Sequence, residues 1–357
     1  MGDVCNTSTG NKNTQDKTDD GIYPFYVRSQ TVERINSWTF DGEAILTAGD
    51  GVGVGKVFHH TYGKIGVHQR VYILSNFKCD ANYLFHFFSS KFYNRVKRMS
   101  AKNSVDSVRK EMITDMPLSL PCCQEQVKIG YILSILDERI STQNKIIEEL
   151  KQLKNGISLN LFTNRIIFDK QITLSKCGTL RNGYAFKSST YNLKGKYSII
   201  TIANVTGSRF IESVDCNKVT QIPEDIQSHQ ILSNGDILIS LTGNVGRVSL
   251  CTDGHFLLNQ RVGLFELSDS IDKEFIYQVL SSKHFENEMI AKGQGAAQMN
   301  INKNDVESYV IPYSTNLQNI RIVSSLLKSL DEKILTMEHL LLSYNKQKTY
   351  LLRQMFI

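Results

Sequence analysis

The most constraining feature of this sequence is a stretch that occurs twice, at residues 126–140 and 320–334. Both copies contain Leu-Asp-Glu-(Arg/Lys)-Ile, anchored at Asp137 and Asp331, which are 194 residues apart. With the same shift, apolar positions keep matching at alternating steps of four and three residues. The matched positions are Ile129, Leu133, Leu136, Ile140, Ile147, Leu150, Ile157 and Leu161 in the first copy, and Val323, Leu327, Leu330, Ile334, Leu341, Tyr344, Leu351 and Met355 in the second. An apolar residue about every 3.5 positions is typical of a coiled-coil seam, so the sequence predicts two long helices that pack on each other.

Polar residues interrupt the apolar series at two places in the first copy and at one of the two equivalent places in the second. Gln143 and Lys154 stand there in the first copy, and Met337 and Lys348 in the second. Because the lysine recurs, we expect it to mark the register of the pair or a docking position. The residues expected to make the helix contacts are Leu133, Leu136, Ile140, Ile147, Leu150, Leu327, Leu330, Ile334, Leu341 and Tyr344.

The two stretches that precede these helices follow a common plan. The first is rich in strand signals after a polar, turn-rich segment at residues 3–21, and its glycine loop at 49–55 favours a hairpin. Five segments of the two stretches correspond in order: 42–46 with 235–240, 49–57 with 242–248, 68–74 with 259–265 as strands, 80–91 with 272–283 as helices, and 105–113 with 299–306. The predicted organisation is therefore a duplication, with a globule at 1–121, a helix at 122–164, a globule at 165–314 and a helix at 315–357.

Composition excludes several classes of protein. A chain of 357 residues with 41% hydrophobic residues is long enough for two domains. It has no apolar run near the roughly 18 residues of a membrane helix, and it begins without the pattern of a signal peptide. Its seven cysteines are scattered without a Cys-x-x-Cys pair, which favours reduced thiols over a disulfide framework or a zinc site. We therefore expect a cytoplasmic protein with no membrane segment and no metal site.

No catalytic constellation is present in the sequence. The glycine loop ending at Lys56 has Asp50 where a phosphate-binding loop requires its first glycine, and Val57 where it requires Ser or Thr, so a hairpin loop is the better interpretation. The carboxylates of Asp137 and Asp331 are expected on a solvated or salt-bridged helix face. The sequence therefore predicts a chain without catalytic residues.

Polar and basic residues recur at equivalent loops of the two globules. Gln and Arg form paired hydrogen bonds with adenine and guanine edges, and clustered lysines and arginines contact phosphates. For each single residue, an ordinary role at the end of a strand remains the alternative. The candidate DNA-binding residues are Arg28, Lys56, His68, Gln69, Arg70, Lys91, Arg95, Lys97 and Arg98 in the first globule, and Asn244, Arg247, Gln260, Arg261, Gln294, Gln298 and Asn300 in the second.

The duplicated order of motifs resembles the DNA-specificity subunit of type I restriction–modification systems. The segments that carry the resemblance are Leu-Asp-Glu-(Arg/Lys)-Ile at 136–140 and 330–334, Gly-Asp-Ile-Leu-Ile at 235–239, Thr-Gly-Asn-Val-Gly at 242–246, Asn-Gln-Arg-Val at 259–262 and Gly-Ala-Ala-Gln-Met-Asn-Ile at 295–301. The resemblance covers essentially the whole chain. It implies an α+β fold with two mixed α/β target-recognition domains, separated by two long α-helices that form an intramolecular antiparallel coiled coil.

The resemblance also implies a function and partners. Each target-recognition domain would bind one half of a split site in double-stranded DNA, and the helices would set the gap and dock two methyltransferase (modification) subunits. S-adenosylmethionine, and ATP with Mg, would belong to those subunits and to restriction/translocase subunits, with no cofactor in this chain. Members of the family usually have a further strand before the first turn-rich segment, so the chain is expected to start short. The alternative is a coiled-coil adaptor whose globules bind proteins, which salt-dependent DNA binding would distinguish.

Overall fold

The structure, a computed structural model, describes residues 1–99, 107–294 and 299–356. It contains two compact units. Met1–Asn144 together with His339–Ile357 form unit 1, and Lys145–Glu338 form unit 2. Each long helix contributes residues to both units, so its two parts are described with the units to which they belong.

Unit 1 contains a mixed β-sheet. Its strands are β1 Asn6–Thr9, β2 Tyr23–Tyr26, β3 Val32–Ile35, β4 Phe40–Ala48, β5 Phe58–Val67 and β6 Val71–Ser75. They are ordered β1-β6-β4-β5-β2-β3, and every pair is antiparallel except β2 with β5. The hairpin of β4 and β5 around the glycine loop confirms the turn that the sequence predicted there.

Two expectations for unit 1 were wrong in detail. Residues 67–74 were predicted to be one strand, but β5 ends at Val67 and β6 begins at Val71, because the three residues between them form a turn. The segment 3–21, expected to be turn-rich, contains β1, whose polar residues pair with β6 from Asn6 opposite Ser75 to Thr9 opposite Tyr72. A short polar strand of this kind is defined by its partner, so its own sequence carries no alternating pattern.

The helices of unit 1 are α1 Ala81–Met99, α2 Lys110–Thr114, the first part of α3 Cys123–Thr163 and the last part of α7 Leu317–Met355. The aromatic side chains of Tyr83, Phe87, Phe88 and Phe92 on α1 are all buried in the same cluster as Ile45 of β4. They form the buried face of this helix.

Unit 2 contains more, shorter strands. They are β7 Lys170–Thr173, β8 Gly178–Asn182, β9 Tyr197–Ile200, β10 Lys218–Val219, β11 Ile231–Leu232, β12 Ile237–Ser240, β13 Val248–Leu250, β14 Phe256–Leu258, β15 Val262–Leu267 and β16 Val310–Tyr313. They form sheets ordered β10-β9-β14-β11, β13-β12-β15-β8 and β16-β7. As in unit 1, the segment predicted as one strand from residue 259 begins with a turn, and β15 starts only at Val262.

The helices of unit 2 are α4 Lys273–Leu280, α5 Lys283–Gly293, α6 Lys303–Glu307, the last part of α3 and the first part of α7 Leu317–Met355. The break between α4 and α5 occurs at Ser282, whose side chain accepts a hydrogen bond from the amide of Phe285 and so caps α5. The main core of this unit joins Phe265 and Phe275 with Val323 and Leu327 of α7. The second long helix is thus part of the core of the unit.

The two long helices are antiparallel within each unit. In unit 1, Asp137 of α3 bonds Lys348 of α7, and Arg139 lies over the ring of Tyr344. In unit 2, Lys154 of α3 bonds Asp331, and Lys151 lies 2.9 Å from Glu338. In both units the residue numbers rise along α3 as they fall along α7, which is the pairing expected of the repeated seam.

The predicted helix-pairing residues differ in burial. Leu133, Leu136, Ile147, Leu327 and Ile334 are buried. The others are half-buried, namely Ile140, Leu150, Leu330, Leu341 and Tyr344. Phe356, directly after α7, packs edge-on against Tyr83 and Phe87 with ring centroids 5.4 and 5.6 Å apart. Burial is not confined to the ends of the helices, since Ile147 and Ile334 lie near their middles.

The aspartates of the repeated motif are more enclosed than expected. Asp331 is only 8% exposed, and its carboxylate accepts hydrogen bonds from Lys154, Arg209 and Gln278. Asp137 is half-buried and is bonded by Lys348, with the His86 ring 3.7 Å away. The expectation of a solvated helix face is therefore corrected for Asp331, while the salt-bridged alternative holds for both.

The structure has an α+β fold with two sheet-rich domains and two long helices, as the sequence predicted. Across the ranges that the structure describes, no helix has the length and apolar character needed to span a membrane.

Candidate nucleic-acid interface

The turns at residues 68–70 and 259–261 have the same hydrogen-bond pattern. In each, the first side chain accepts a bond from the amide two residues later: Arg70 N to His68 Nδ1 at 3.0 Å, and Arg261 N to Asn259 Oδ1 at 3.2 Å. Three backbone hydrogen bonds also correspond. His68 N donates to Tyr26 O, as Asn259 N donates to Ile200 O. Gln69 N donates to Lys12 O, as Gln260 N donates to Tyr184 O, and Val71 N donates to His68 O, as Val262 N donates to Asn259 O. The sequence match between the two Gln-Arg pairs is therefore a match in structure.

The first position of each turn supports the turn, and the next two are exposed. His68 is only 5% exposed; burial and the nearby charge of Arg28 lower the pKa of its imidazole, which suits the neutral ring that accepts at Nδ1. Gln69, Arg70, Gln260 and Arg261 are exposed. Of the predicted residues in the turns, these four are available to a ligand, while His68 lies behind them.

The glycine loops lie beside these turns in both units. The amide of Gly49 donates to Arg70 O, and the amide of Leu241 donates to Arg261 O. Both loops join antiparallel strands, β4 with β5 and β12 with β13, whereas a phosphate-binding loop joins a strand to a helix. The geometry therefore agrees with the hairpin interpretation of the sequence.

Equivalent glycines bring each loop against a helix. Gly55 and Gly246 have φ of 65° and 75°, a conformation that glycine adopts without strain. A Cβ on Gly55 would lie 2.9 Å from Tyr93 of α1, and one on Gly246 would lie 2.7 Å from Met289 of α5. Each loop is consequently held at a fixed place beside its turn. We name residues 49–57 with 68–70 the first loop cluster, and residues 241–248 with 259–261 the second.

A basic residue follows each of these two glycines. The ammonium group of Lys56 lies over the ring of Tyr93 at 5.6 Å, and Arg247 Nε lies 3.7 Å from Glu286 Oε1. Asn244, also predicted, is exposed at the tip of the second loop. These three residues lie within the loop clusters defined above, beside the turn residues.

In the first loop cluster, two predicted arginines share one carboxylate that was not among the predicted binding residues. Arg28 Nη1 lies 2.8 Å from Asp50 Oδ1, and Arg70 Nε lies 3.6 Å from Asp50 Oδ2. Gln69 is also held, since its Nε2 donates to Asn13 Oδ1 at 2.6 Å. Sequence reasoning missed Asp50 and Asn13, because neither lies near its partners along the chain.

The second loop cluster contains different side chains at the same positions. Thr242 occupies the place of Asp50, and its Oγ1 donates to Asn300 Oδ1 at 2.9 Å. The isolated bridges Asp50 with Ser107 and Thr242 with Asn300 show that these positions correspond. Asn300 is exposed, as is Gln294, which caps the end of α5. The predicted residue Gln298 lies outside the described residues.

The basic patch predicted on α1 is only partly available. Lys97 and Arg98 are exposed in the last turn, and Lys91 is half-buried. The guanidinium of Arg95 donates to the carbonyls of Met112 at 2.8 Å and Asp115 at 2.9 Å, so it stabilises the end of α2. We therefore regard Lys97 and Arg98 as the better candidates for phosphate contacts.

Comparison with known proteins gives the family to which the chain belongs. Residues 1–152 and 170–342 match the sequence model of the type I restriction modification DNA specificity domain, once in each half of the chain. The chain belongs to this family. Its role is DNA-sequence specificity, not catalysis, and this membership favours the DNA-binding interpretation over the protein adaptor.

Individual relatives agree with this assignment. The chain is 28% identical over 353 residues to the type I restriction enzyme MjaVIII specificity subunit of Methanocaldococcus jannaschii, covering 88% of this chain and 80% of that protein. It is also 28% identical over 153 residues to the EcoDI specificity subunit of Escherichia coli, covering 43% of this chain and 34% of that protein.

Solved structures support the fold of this family member. The type I restriction-modification S subunit from M. genitalium is similar with a TM-score of 0.69 and 17% identity, over 99% of this chain and 94% of that one. A chain from a structural study of complex assembly in the type I R-M system gives a TM-score of 0.54 and 13% identity, over 99% and 96%.

Proposed function

We propose that each unit binds one half of a split DNA target through its loop cluster, within a type I restriction–modification complex. The observation that carries this proposal is the repetition of the same turn and glycine loop, with an exposed Gln-Arg pair, in both units. Glutamine and arginine side chains recognise base edges in the major groove, and the lysines and arginines around them suit phosphates.

The two half-sites should differ in sequence. Residues at corresponding positions are alike in the turns, where Gln69 and Arg70 match Gln260 and Arg261. They differ in the loops, where Asp50 corresponds to Thr242. Two surfaces of similar geometry and unlike chemistry are suited to an asymmetric, two-part target.

We further propose that the long helices set the gap between the half-sites. Helix α3 has 41 residues and α7 has 39. At about 1.5 Å per residue, each is about 60 Å long, whereas one turn of DNA is about 34 Å. A spacer of this length suits half-sites that are separated by a turn or more.

The same helices carry a repeated exposed apolar residue that supports docking of two identical partners. Ile132 on α3 and Leu326 on α7 occupy equivalent positions, and each is 43% exposed. Single exposed apolar side chains are common, but the same one in both copies is expected if the same protein docks twice. We propose that this partner is the methyltransferase subunit, which binds S-adenosylmethionine, and that restriction subunits add ATP and Mg. The complex would act on DNA in the cytoplasm.

A domain exchange tests the proposal. Residues 1–121 are replaced by the corresponding globule of another family member, the chain is assembled with its methyltransferase subunits, and methylated adenines are mapped by sequencing. One half of the target should change while the other half and the gap remain. A target that changes in both halves, or in neither, contradicts the assignment of one half-site to each unit.

A further inference from the structure

An ionic triad in the first loop cluster joins three segments that are distant in sequence. Arg28 follows β2, Asp50 lies in the glycine loop, and Arg70 lies in the turn before β6. The carboxylate of Asp50 contacts Arg28 with one oxygen at 2.8 Å and Arg70 with the other at 3.6 Å. The side chains of Arg28 and Arg70 are 45% and 64% exposed, so both guanidinium groups reach the surface while sharing a single, more enclosed acid.

The second loop cluster has the same backbone but no triad. Tyr26 O and Ile200 O accept the corresponding turn bonds, so Arg28, two residues after Tyr26, corresponds to Ile202. The facing glycines agree: a Cβ on Gly51 would lie 3.8 Å from Arg28 Nη1, and one on Gly243 would lie 3.5 Å from Ile202 Cδ1.

In the part of the chain that the structure describes, the turn arginine of the second cluster has no acidic partner, although Arg247 in the loop lies 3.7 Å from Glu286. Thr242 replaces Asp50 and bonds Asn300. Among the residues that the structure describes, Arg261 forms no ion pair. The two clusters thus present the same turn arginine in two electrostatic states.

Asp50 has two physical consequences for binding DNA. A guanidinium has five N–H donors, and the contacts with Asp50 occupy one nitrogen of each arginine, which leaves other donors available for a bidentate contact with guanine O6 and N7. Holding both arginines in place before binding reduces the entropy that is lost on binding. The negative charge of Asp50 also weakens the attraction of this surface to the phosphates of DNA, whatever the DNA sequence. Both consequences raise the ratio of specific to non-specific binding.

We propose that Asp50 is a specificity-determining positioning residue, which presents Arg28 and Arg70 as a pair to guanines of the first half-site. The inference rests on the proposed function and deepens it. The second half-site, by contrast, is recognised by Gln260, Arg261 and Asn300 without a carboxylate that restrains the arginine.

The test uses the full chain assembled with its methyltransferase subunits, after its target has been mapped by methylation sequencing. Binding is measured for the intact target, for targets with either half scrambled, and for an unrelated duplex, at several salt concentrations. The variants are Asp50→Thr, which introduces the residue found at the equivalent position of unit 2, and Asp50→Asn, which keeps the shape. Asp41→Asn, at the exposed beginning of β4, removes the same charge elsewhere in unit 1.

For Asp50→Thr, discrimination against a scrambled first half should fall about tenfold, which corresponds to about 1.4 kcal/mol, while discrimination at the second half stays unchanged. Binding to the unrelated duplex should become tighter and more salt-dependent. Asp50→Asn should show the same changes to a smaller extent, because its amide oxygen still accepts a hydrogen bond from one arginine. Asp41→Asn should leave the discrimination at both halves of the target unchanged.

Equal loss at both halves, or unchanged discrimination at the first half, overturns the role of Asp50. Weaker binding to every duplex would instead indicate a loss of folding, and Asp50→Asn then decides because it preserves the packing. Exchange of residues 1–121 is the independent check on the proposed function. If the exchange alters one half of the target while the Asp50 variants do not, the inference fails and the function stands.

Discussion

Lys154 Nζ lies 2.5 Å from Asp331 Oδ1 in unit 2. The equivalent residues of the repeat, Lys348 and Asp137, form the same ion pair in unit 1. The lysine that interrupts each apolar series is therefore the partner of the aspartate in the motif of the other copy. A polar residue in a coiled-coil seam can fix the register of the pair. This repeated ion pair gives the helices one antiparallel alignment within each unit.

Removal of the two aspartates should have unequal effects on stability. Asp331→Ala leaves Arg209 and Lys154, whose side chains are only 11% and 15% exposed, without a shared carboxylate and should cost about 3–5 kcal/mol. Asp137→Ala should cost about 1 kcal/mol, because the side chains of Asp137 and Lys348 are 35% and 26% exposed. Far-UV circular dichroism follows urea unfolding of the chain, and fluorescence of Trp38, the single tryptophan, reports on unit 1. Equal losses for the two variants contradict the prediction.

The stability of unit 1 should depend on pH through His86. Burial, opposed by the charge of Asp137, lowers the pKa of this imidazole to about 4. The neutral ring therefore contributes stability that is fully present above pH 6.5, the approximate pKa of histidine in the unfolded chain. This contribution is lost as the pH falls through about 4, which lowers the free energy of unfolding by about 3 kcal/mol. Gln278 occupies the equivalent position of unit 2, where it bonds Asp331.

His86→Gln should accordingly flatten the dependence of unit 1 stability on pH between about 6.5 and 4. Trp38 fluorescence during urea unfolding at several pH values gives the measurement. His255→Gln, at an exposed site in unit 2, is the control and should leave the profile unchanged. A smaller slope remains in all variants, because burial also lowers the pKa values of His59 and His68. An unaltered profile in His86→Gln would falsify the assignment.

Two glycines of α3 should respond in opposite directions to alanine. A Cβ on Gly130 would lie 2.6 Å from Asp80 Oδ1 and 2.8 Å from Tyr83 N, the two groups whose hydrogen bond caps the start of α1. Gly130→Ala should therefore cost about 2 kcal/mol. At Gly156 nothing lies within 4 Å, and Gly156→Ala should stabilise the helix by about 0.5–1 kcal/mol. Thermal and urea unfolding measure both, and the same sign for the two variants is the contrary result.

The length of the helices should set the gap in the DNA target. Insertion of one apolar-patterned heptad after Asn144 and another after the equivalent Glu338 lengthens both helices by about 10 Å, which corresponds to about 3 base pairs of DNA. Methylation mapping should find a gap enlarged by about that amount, with both half-sites unchanged. Insertion into α3 alone is the control, because it disturbs the antiparallel register and should lower stability. An unchanged gap with the double insertion disproves the spacing role.

The repeated apolar positions should be needed for docking. Ile132→Glu and Leu326→Glu should each remove one of two methyltransferase subunits, because a carboxylate cannot be buried there without a partner. Light scattering of the purified complex gives the number of subunits bound. Leu342→Glu is a matched control, since Leu342 is 52% exposed and its equivalent in the first copy, Glu148, already carries the charge. Retention of both subunits in the double variant of Ile132 and Leu326 contradicts this site.

The sequence predicted part of the site because equivalent residues occur in both halves of the chain. Gln69 and Arg70, and Gln260 and Arg261, were found in this way, and the structure gives both pairs the same turn. Arg95 was predicted from charge alone, and its guanidinium is bound to backbone carbonyls. Local charge identifies a cation but carries no information about the acceptor that holds it.

The sequence by itself determined the duplication, the two long helices and their apolar seams, because helical periodicity is a local property that a single stretch displays. Only the tertiary structure decided which charges pair. Lys154 and Asp331 are 177 residues apart, and Asp137 and Lys348 are 211 apart, so folding alone brings them into contact. The triad of Arg28, Asp50 and Arg70 has the same origin, because an ion pair requires proximity in space, and its partners leave no periodic pattern in the chain.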